Sequence, residues 1–160
     1  MVTRTEGQQA APRRPALDQA LALLARRDHS TQELRRKLGR AGHDPEAIAA
    51  ALERLRELGY QDDVRFAATL ERQQISRGRG PRAIRAKLAQ AGVSAAAPGL
   101  DDIEAPDWPA LATQVLQRRF GADPPADLRQ WQQRARFLLG RGFTEAQARG
   151  ALGRPPPTPR

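Results

Sequence analysis

From Arg72 to Lys87 the chain carries Arg72, Arg77, Arg79, Arg82, Arg85 and Lys87 with no acidic residue among them. A guanidinium group is a planar, permanently charged fork of N–H donors that matches phosphate or carboxylate oxygens two at a time. Arg77 and Arg79 flank Gly78 and Gly80 just ahead of Pro81, where a helix is expected to start, so two forks stand beside a helix N-terminus. A second basic cluster, Arg35, Arg36, Lys37 and Arg40, precedes it, and Arg35 and Lys37 stand 50 residues before Arg85 and Lys87. Charge at matched positions predicts a basic stripe that seats against a polyanion or an acidic protein groove. Tyr60, Phe66, Trp108 and Trp131 occur at apolar-stripe or helix-end positions and are expected in the core. Few rings are left for bases to stack on. The expected contact is driven by charge rather than by base sequence.

Other chemistries find no constellation. His29 and His43 fall in a loop and at a helix start, neither beside a second metal ligand at helical spacing. Asp62-Asp63 and Asp101-Asp102 are adjacent carboxylates at helix starts, where negative charge offsets the helix dipole. Arg77-Gly78-Arg79-Gly80-Pro81 lacks the preceding strand and the Lys-Ser/Thr pair of a phosphate-binding loop. There is no cysteine, which excludes disulfides, zinc thiolates and thiol nucleophiles. The expectation is a non-enzymatic protein with no metal and no cofactor.

The elements that carry the basic residues are helices. Apolar residues make up 39% of the 160, aromatics 4%, and the formal net charge is +9. Ala, Leu, Arg, Gln and Glu dominate, all good helix formers, whereas a sheet would need more β-branched and aromatic material. Leu17, Leu21 and Leu24 mark a first amphipathic helix. Ser30 with Glu33 forms a capping-box pattern that opens a second, with Leu34 and Leu38 inward and Gly42 as its stop. Asp44 and Pro45 open a third, with a stripe of Ile48, Leu52, Leu55 and Leu58 closed by Gly59. Asp62 opens a fourth with Val64, Phe66, Ala67, Leu70 and Gln74, and Pro81 a fifth with Ile84 and Leu88. Ser94 caps a sixth that Pro98 and Gly99 should shorten or break, which makes residues 95–107 the expected hinge. Two more follow, about Trp108 to Phe120 and Ala126 to Arg141, and a short last one starts at Thr144.

Gly42, Gly92 and Gly142 lie 50 residues apart, each four residues after a leucine (Leu38, Leu88, Leu138) and two before a cap (Asp44, Ser94, Thr144). This repeat predicts an all-α chain of three tandem three-helix repeats, 15–60, 61–106 and 107–152, in an elongated, curved array. Polar residues 1–14 and the proline-rich 153–160 read as tails. No apolar run approaches the ~20 residues that span a bilayer, and the first residues lack the apolar core of a secretory signal. The cytoplasm is the expected compartment, and a monomer the expected state.

The residues that carry a family resemblance are Leu58-Gly59-Tyr60-Gln61-Asp62-Asp63-Val64-Arg65-Phe66-Ala67 and Ser76-Arg77-Gly78-Arg79-Gly80-Pro81-Arg82-Ala83-Ile84-Arg85-Ala86-Lys87-Leu88. Together they resemble the signature of the RecX family. Ala22-Leu23-Leu24-Ala25-Arg26-Arg27-Asp28-His29-Ser30 with Glu33-Leu34, Arg118-Arg119-Phe120-Gly121 and Arg136-Phe137-Leu138…Arg141-Gly142-Phe143 fit the same pattern over about residues 16–152. The resemblance makes Gly59, Tyr60, Asp62, Asp63, Phe66, Gly78, Gly80 and Pro81 motif positions. It implies tandem three-helix repeats that lodge in the groove of a RecA–DNA filament and inhibit strand exchange and RecA ATP hydrolysis, with direct DNA contact in some members. A rival reading takes Ser30 to Leu58 as a helix-turn-helix. Against it, the helix that would read DNA carries Glu46, Glu53 and Glu57. A third reading is a scaffold whose basic surface is only solvated.

Overall fold

The computed structural model describes residues 14–94 and 106–157. Among these residues there are eight helices and no strand: α1 (Ala16–Leu24), α2 (Thr31–Arg40), α3 (Pro45–Glu57), α4 (Asp63–Ser76), α5 (Pro81–Gln90), α6 (Trp108–Phe120), α7 (Leu128–Gly140) and α8 (Glu145–Leu152). The expected sixth helix after Ser94, and nearly all of the expected hinge, fall outside the described residues. The chain divides into two compact units, Met1–Asp62 and Asp63–Arg160.

The repeat is a repeat of helix endings. At Gly42, Gly92 and Gly142 the backbone turns left-handed, with φ of 83°, 74° and 90°. The following amide returns to the leucine carbonyl five residues back: His43 N to Leu38 O at 3.2 Å, Val93 N to Leu88 O at 3.0 Å, and Phe143 N to Leu138 O at 3.2 Å. This is the Schellman closure, which satisfies carbonyls that the helix end would leave unpaired. Leu38, Leu88 and Leu138 are all buried. The same closure ends each repeat, and Arg134 stands where the first two repeats bury Leu34 and Ile84. α2 and α5 match in length, whereas α7 begins three residues earlier in register.

Helix starts follow local chemistry. Ser30, Asp107, Asp127 and Thr144 each accept from the amide three residues on, at 3.0, 3.0, 2.7 and 3.2 Å. Asp127 thus sets the start of α7 at Leu128, two residues after the expected Ala126. At α8 the Gln147 side chain also accepts from the Thr144 amide, which completes a capping box.

In the first unit α1, α2 and α3 close on Ala20, Leu34, Leu38, Ile48, Leu52 and Leu55. The small Ala16 and Ala20 are the buried residues of α1, while Leu17, Leu21 and Leu24 pack only partly against this core. Two sequence-based expectations fail here. Leu58 is 46% exposed and Tyr60 55%. A helical stripe is buried only as far as its partner helices run, and both residues lie past the last turn of α3, where the chain reverses at Gly59.

The second unit has two linked clusters. Phe66, Ala67, Ile84, Leu88, Ala91 and Val93 join α4 to α5; Ala112, Val115, Leu116, Leu138, Phe143 and Ala148 join α6, α7 and α8. Half-buried Trp108 packs against both. Trp131 is also half-buried, and its indole Nε1–H donates to Gly153 O at 3.1 Å. Among the described residues no buried side-chain nitrogen or oxygen lacks a hydrogen-bond partner.

Candidate functional site

The loop from Arg77 to Pro81 packs against the turn between α7 and α8 at backbone distance. Gly80 N donates to Arg141 O and Arg82 N donates to Gly142 O, both at 2.9 Å. A Cβ on Gly80 would lie 2.4 Å from Phe143 N and 2.5 Å from the Gly142 carbonyl carbon, and one on Gly142 would lie 2.5 Å from Ala83 Cβ. A Cβ on Gly78 would meet Val115 Cγ2 at 2.7 Å. These glycines permit a close approach of two backbones. The first turn of α5 has no side-chain cap, and a carbonyl from the α7–α8 turn takes one of its amides. The negative end of α7 thereby meets the positive end of α5.

Beside this joint lies a groove of about 250 Å³, lined by Ser76, Arg77, Gly78, Val115, Arg118, Arg119, Phe137 and Arg141. No lining residue is acidic. The arginines come from three helix C-termini, where the macrodipole favours cations. Arg141 is fixed twice: its Nη1 donates to Arg77 O at 2.9 Å, and its Cζ lies 4.9 Å from the Phe137 ring centroid. Phe137 and Phe120 meet edge to face at 5.3 Å, and the guanidiniums of Arg119 and Arg134 lie over Phe120, each at 5.3 Å. Arg134 also donates to Asp123 O at 2.6 Å, so the core position it displaces becomes an arginine–phenylalanine stack. Among the described residues the side chains of Arg77, Arg118 and Arg119 enter no hydrogen bond or ion pair.

Arg35, Arg36, Lys37 and Arg40 are exposed on α2, as are Arg72 on α4, Arg79 in the loop, and Arg82, Arg85 and Lys87 on α5. Arg77 alone of this set lines the groove. Helical geometry turns about 100° per residue. Residues two apart, such as Arg35 and Lys37 or Arg85 and Lys87, therefore point to different sides, whereas Arg82 and Arg85 are neighbours. Arg35 also bonds Gln32 Oε1 at 2.9 Å.

Of the motif positions, Gly59 (φ 71°) has open space for 4 Å around the place a Cβ would take. Phe66 is core, Asp63 lies in the first turn of α4, Asp62 precedes it, and Pro81 is N1 of α5. Arg118, Arg119 and Arg141 were not expected as site residues from charge clustering. Their signal is an arginine next to a phenylalanine or before a positive-φ glycine.

The two histidines are structural. His29 is 4% exposed and its Nδ1 lies 2.9 Å from Arg27 O, which makes Nδ1 the protonated nitrogen of the neutral ring. Burial pushes its pKa below the ordinary value. Gln61 donates to His29 O at 3.4 Å and accepts from Thr31 Oγ1 at 3.0 Å. His43 Nε2 pairs with Gln19 Oε1 at 2.7 Å. Among the described residues no group of His, Cys, Asp and Glu could hold a metal ion, and no helix is long and apolar enough to cross a membrane.

Comparison with known proteins agrees with this architecture. Models of the first, second and third three-helix domains of RecX match residues 16–55, 62–97 and 107–152. The Regulatory protein RecX of Halorhodospira halophila is 47% identical over 136 residues, covering 84% of both chains. That of Acidithiobacillus ferrooxidans is 46% identical over 134 residues (84% of this chain, 86% of the other), and that of Chromohalobacter salexigens 44% over 147 (91% and 93%). A crystal structure of regulatory protein RecX superposes with a TM-score of 0.69 at 25% identity, covering 86% of this chain and 70% of that one. RecX from Lactobacillus salivarius shares the fold, with a TM-score of 0.66 at 19% identity over 83% and 89%.

Proposed function

The chain belongs to the RecX family of regulatory proteins, and from that premise we propose that it is a negative regulator of the RecA recombinase. It binds the RecA–DNA filament in the helical groove and restrains strand exchange and RecA ATP hydrolysis. The single observation that supports this reading best is the set of exposed arginines of the second unit, Arg77, Arg79, Arg82, Arg85, Arg118 and Arg119, on a scaffold of repeated helices. Such a surface meets a polyanion through many weak contacts, and repeats add avidity without one tight site. ATP hydrolysis belongs to RecA in this scheme, and this chain supplies contact surface. A helix-turn-helix reading of α2 and α3 gains nothing: Glu46, Glu53 and Glu57 are exposed on α3, and Glu53 and Glu57 pair with Arg56 and Arg54.

The test is RecA ATP turnover on single-stranded DNA with this protein added below one copy per RecA. Turnover falls if the reading is right. A rate that stays at its starting value across the titration, with the chain folded, defeats it.

A further inference from the structure

We propose that the groove formed by Arg77, Arg118, Arg119 and Arg141 against Phe137 seats a backbone phosphate of a nucleic-acid strand. The inference rests on the chain acting on a nucleoprotein filament, and it names the residues that touch the strand.

Four guanidiniums converge on a groove of about 250 Å³ with no carboxylate in its lining. Like charges gathered without a counter-charge repel one another, and a bound anion relieves that cost. The site is pre-organised, because Arg141 is held by Arg77 O at 2.9 Å and by the Phe137 face at 4.9 Å. A fork fixed before binding loses less freedom on binding. Arg118 and Arg119 are exposed and keep their N–H donors.

Two observations favour a phosphodiester over a protein carboxylate. First, exposed Arg79, Arg82 and Arg85 follow Arg77 along the loop and into α5. A serial polyanion occupies such a track, whereas a single acidic side chain does not. Second, guanidiniums already lie over the rings of Phe137 and Phe120. Those faces are thus taken from bases, which leaves a contact that is indifferent to sequence.

The experiment is titration of the full chain with labelled single-stranded oligothymidylate, without RecA, at several salt concentrations. R118Q/R119Q is expected to weaken binding about tenfold and to lower the slope of log K against log salt by about 0.7, the loss of one phosphate contact. R118K/R119K keeps the slope, with affinity between the two. The paired exposed arginines serve as control, and R54Q/R56Q changes affinity less than about twofold. Unchanged affinity and slope in a folded R118Q/R119Q protein overturn the proposal. So does unchanged DNA binding together with lost binding of poly-glutamate, which would assign the groove to an acidic protein. If R118Q/R119Q unfolds, R77Q carries the same expectation and the same refutation. Because RecA is absent, the two readings fail separately. A chain that binds the oligonucleotide through these arginines and leaves RecA turnover untouched sinks only the regulator. An inhibitor whose DNA binding ignores them sinks only the groove.

Discussion

Residues 1–62 carry eleven basic side chains against nine acidic, and residues 63–160 carry sixteen against nine. The first unit pairs Arg27 with Glu33, Arg54 with Glu57 and Arg56 with Glu53, and the second pairs Arg149 with Glu145 at 3.8 Å. The second gathers Arg77, Arg118, Arg119 and Arg141 where no acid answers them. The same contrast holds for glycine. Gly59 turns the chain in open space, while Gly80 and Gly142 bring two backbones together. One helix-ending device therefore serves as a plain stop in the first unit and as a joint in the second. The joint also sets Arg77 beside Arg141, so the packing glycines and the basic groove are one construction.

The largest test of this contrast is a pair of substitutions. Gly142→Ala meets Ala83 at 2.5 Å and must also hold φ 90°. It should cost about 3 kcal/mol or more, from overpacking and backbone strain together. Gly59→Ala carries the backbone term alone, about 1 kcal/mol. Denaturant unfolding measures both, and equal losses would erase the distinction between stop and joint.

Ser30→Ala removes a cap whose hydroxyl is buried in the first unit and should cost about 1–2 kcal/mol. Hydrogen exchange should show that loss in the amides of α2, with α5 and α7 protected as before. Gly39→Ala works the other way. This glycine is inside α2 with nothing near its absent Cβ, so alanine should raise stability by up to about 1 kcal/mol. A destabilised protein would mean that α2 has a neighbour at Gly39.

The smallest effect is with pH. Burial of His29 disfavours the imidazolium, so its folded pKa lies below the ordinary 6.5. The unfolded chain then binds the proton more readily, and stability is full above that ordinary value. It declines as pH falls from there through the lowered folded value. Urea midpoints at pH 7.5 and pH 5.5 should differ in that direction, with the difference reduced in His29→Gln. Because His29 lies in the first unit, α2 amides should lose protection before those of α7.

Much of the fold was legible because its signals are local. A cap and its amide are three residues apart, a leucine and its closing glycine four, and an apolar stripe repeats within two turns. Ser30, Pro45, Pro81 and Gly42, Gly92 and Gly142 mark their helix ends where these rules place them. The stripe at Leu58 and Tyr60 misled, because periodicity tells which face is apolar and not how far the covering helix extends. Charge clustering along the chain picks out Arg77 but not Arg118, Arg119 and Arg141, which line the same groove from other segments.

What the sequence alone determined is the succession of helices, their ends, and an excess of positive charge in the later part of the chain, all consequences of interactions within a few residues. What only the tertiary structure decided is which of those charges lie together. Arg141 reaches Arg77 across 64 residues, and the glycines between them are needed for a contact that neither segment makes by itself. Close packing depends on which surfaces meet, and no rule of spacing along one chain segment carries that information.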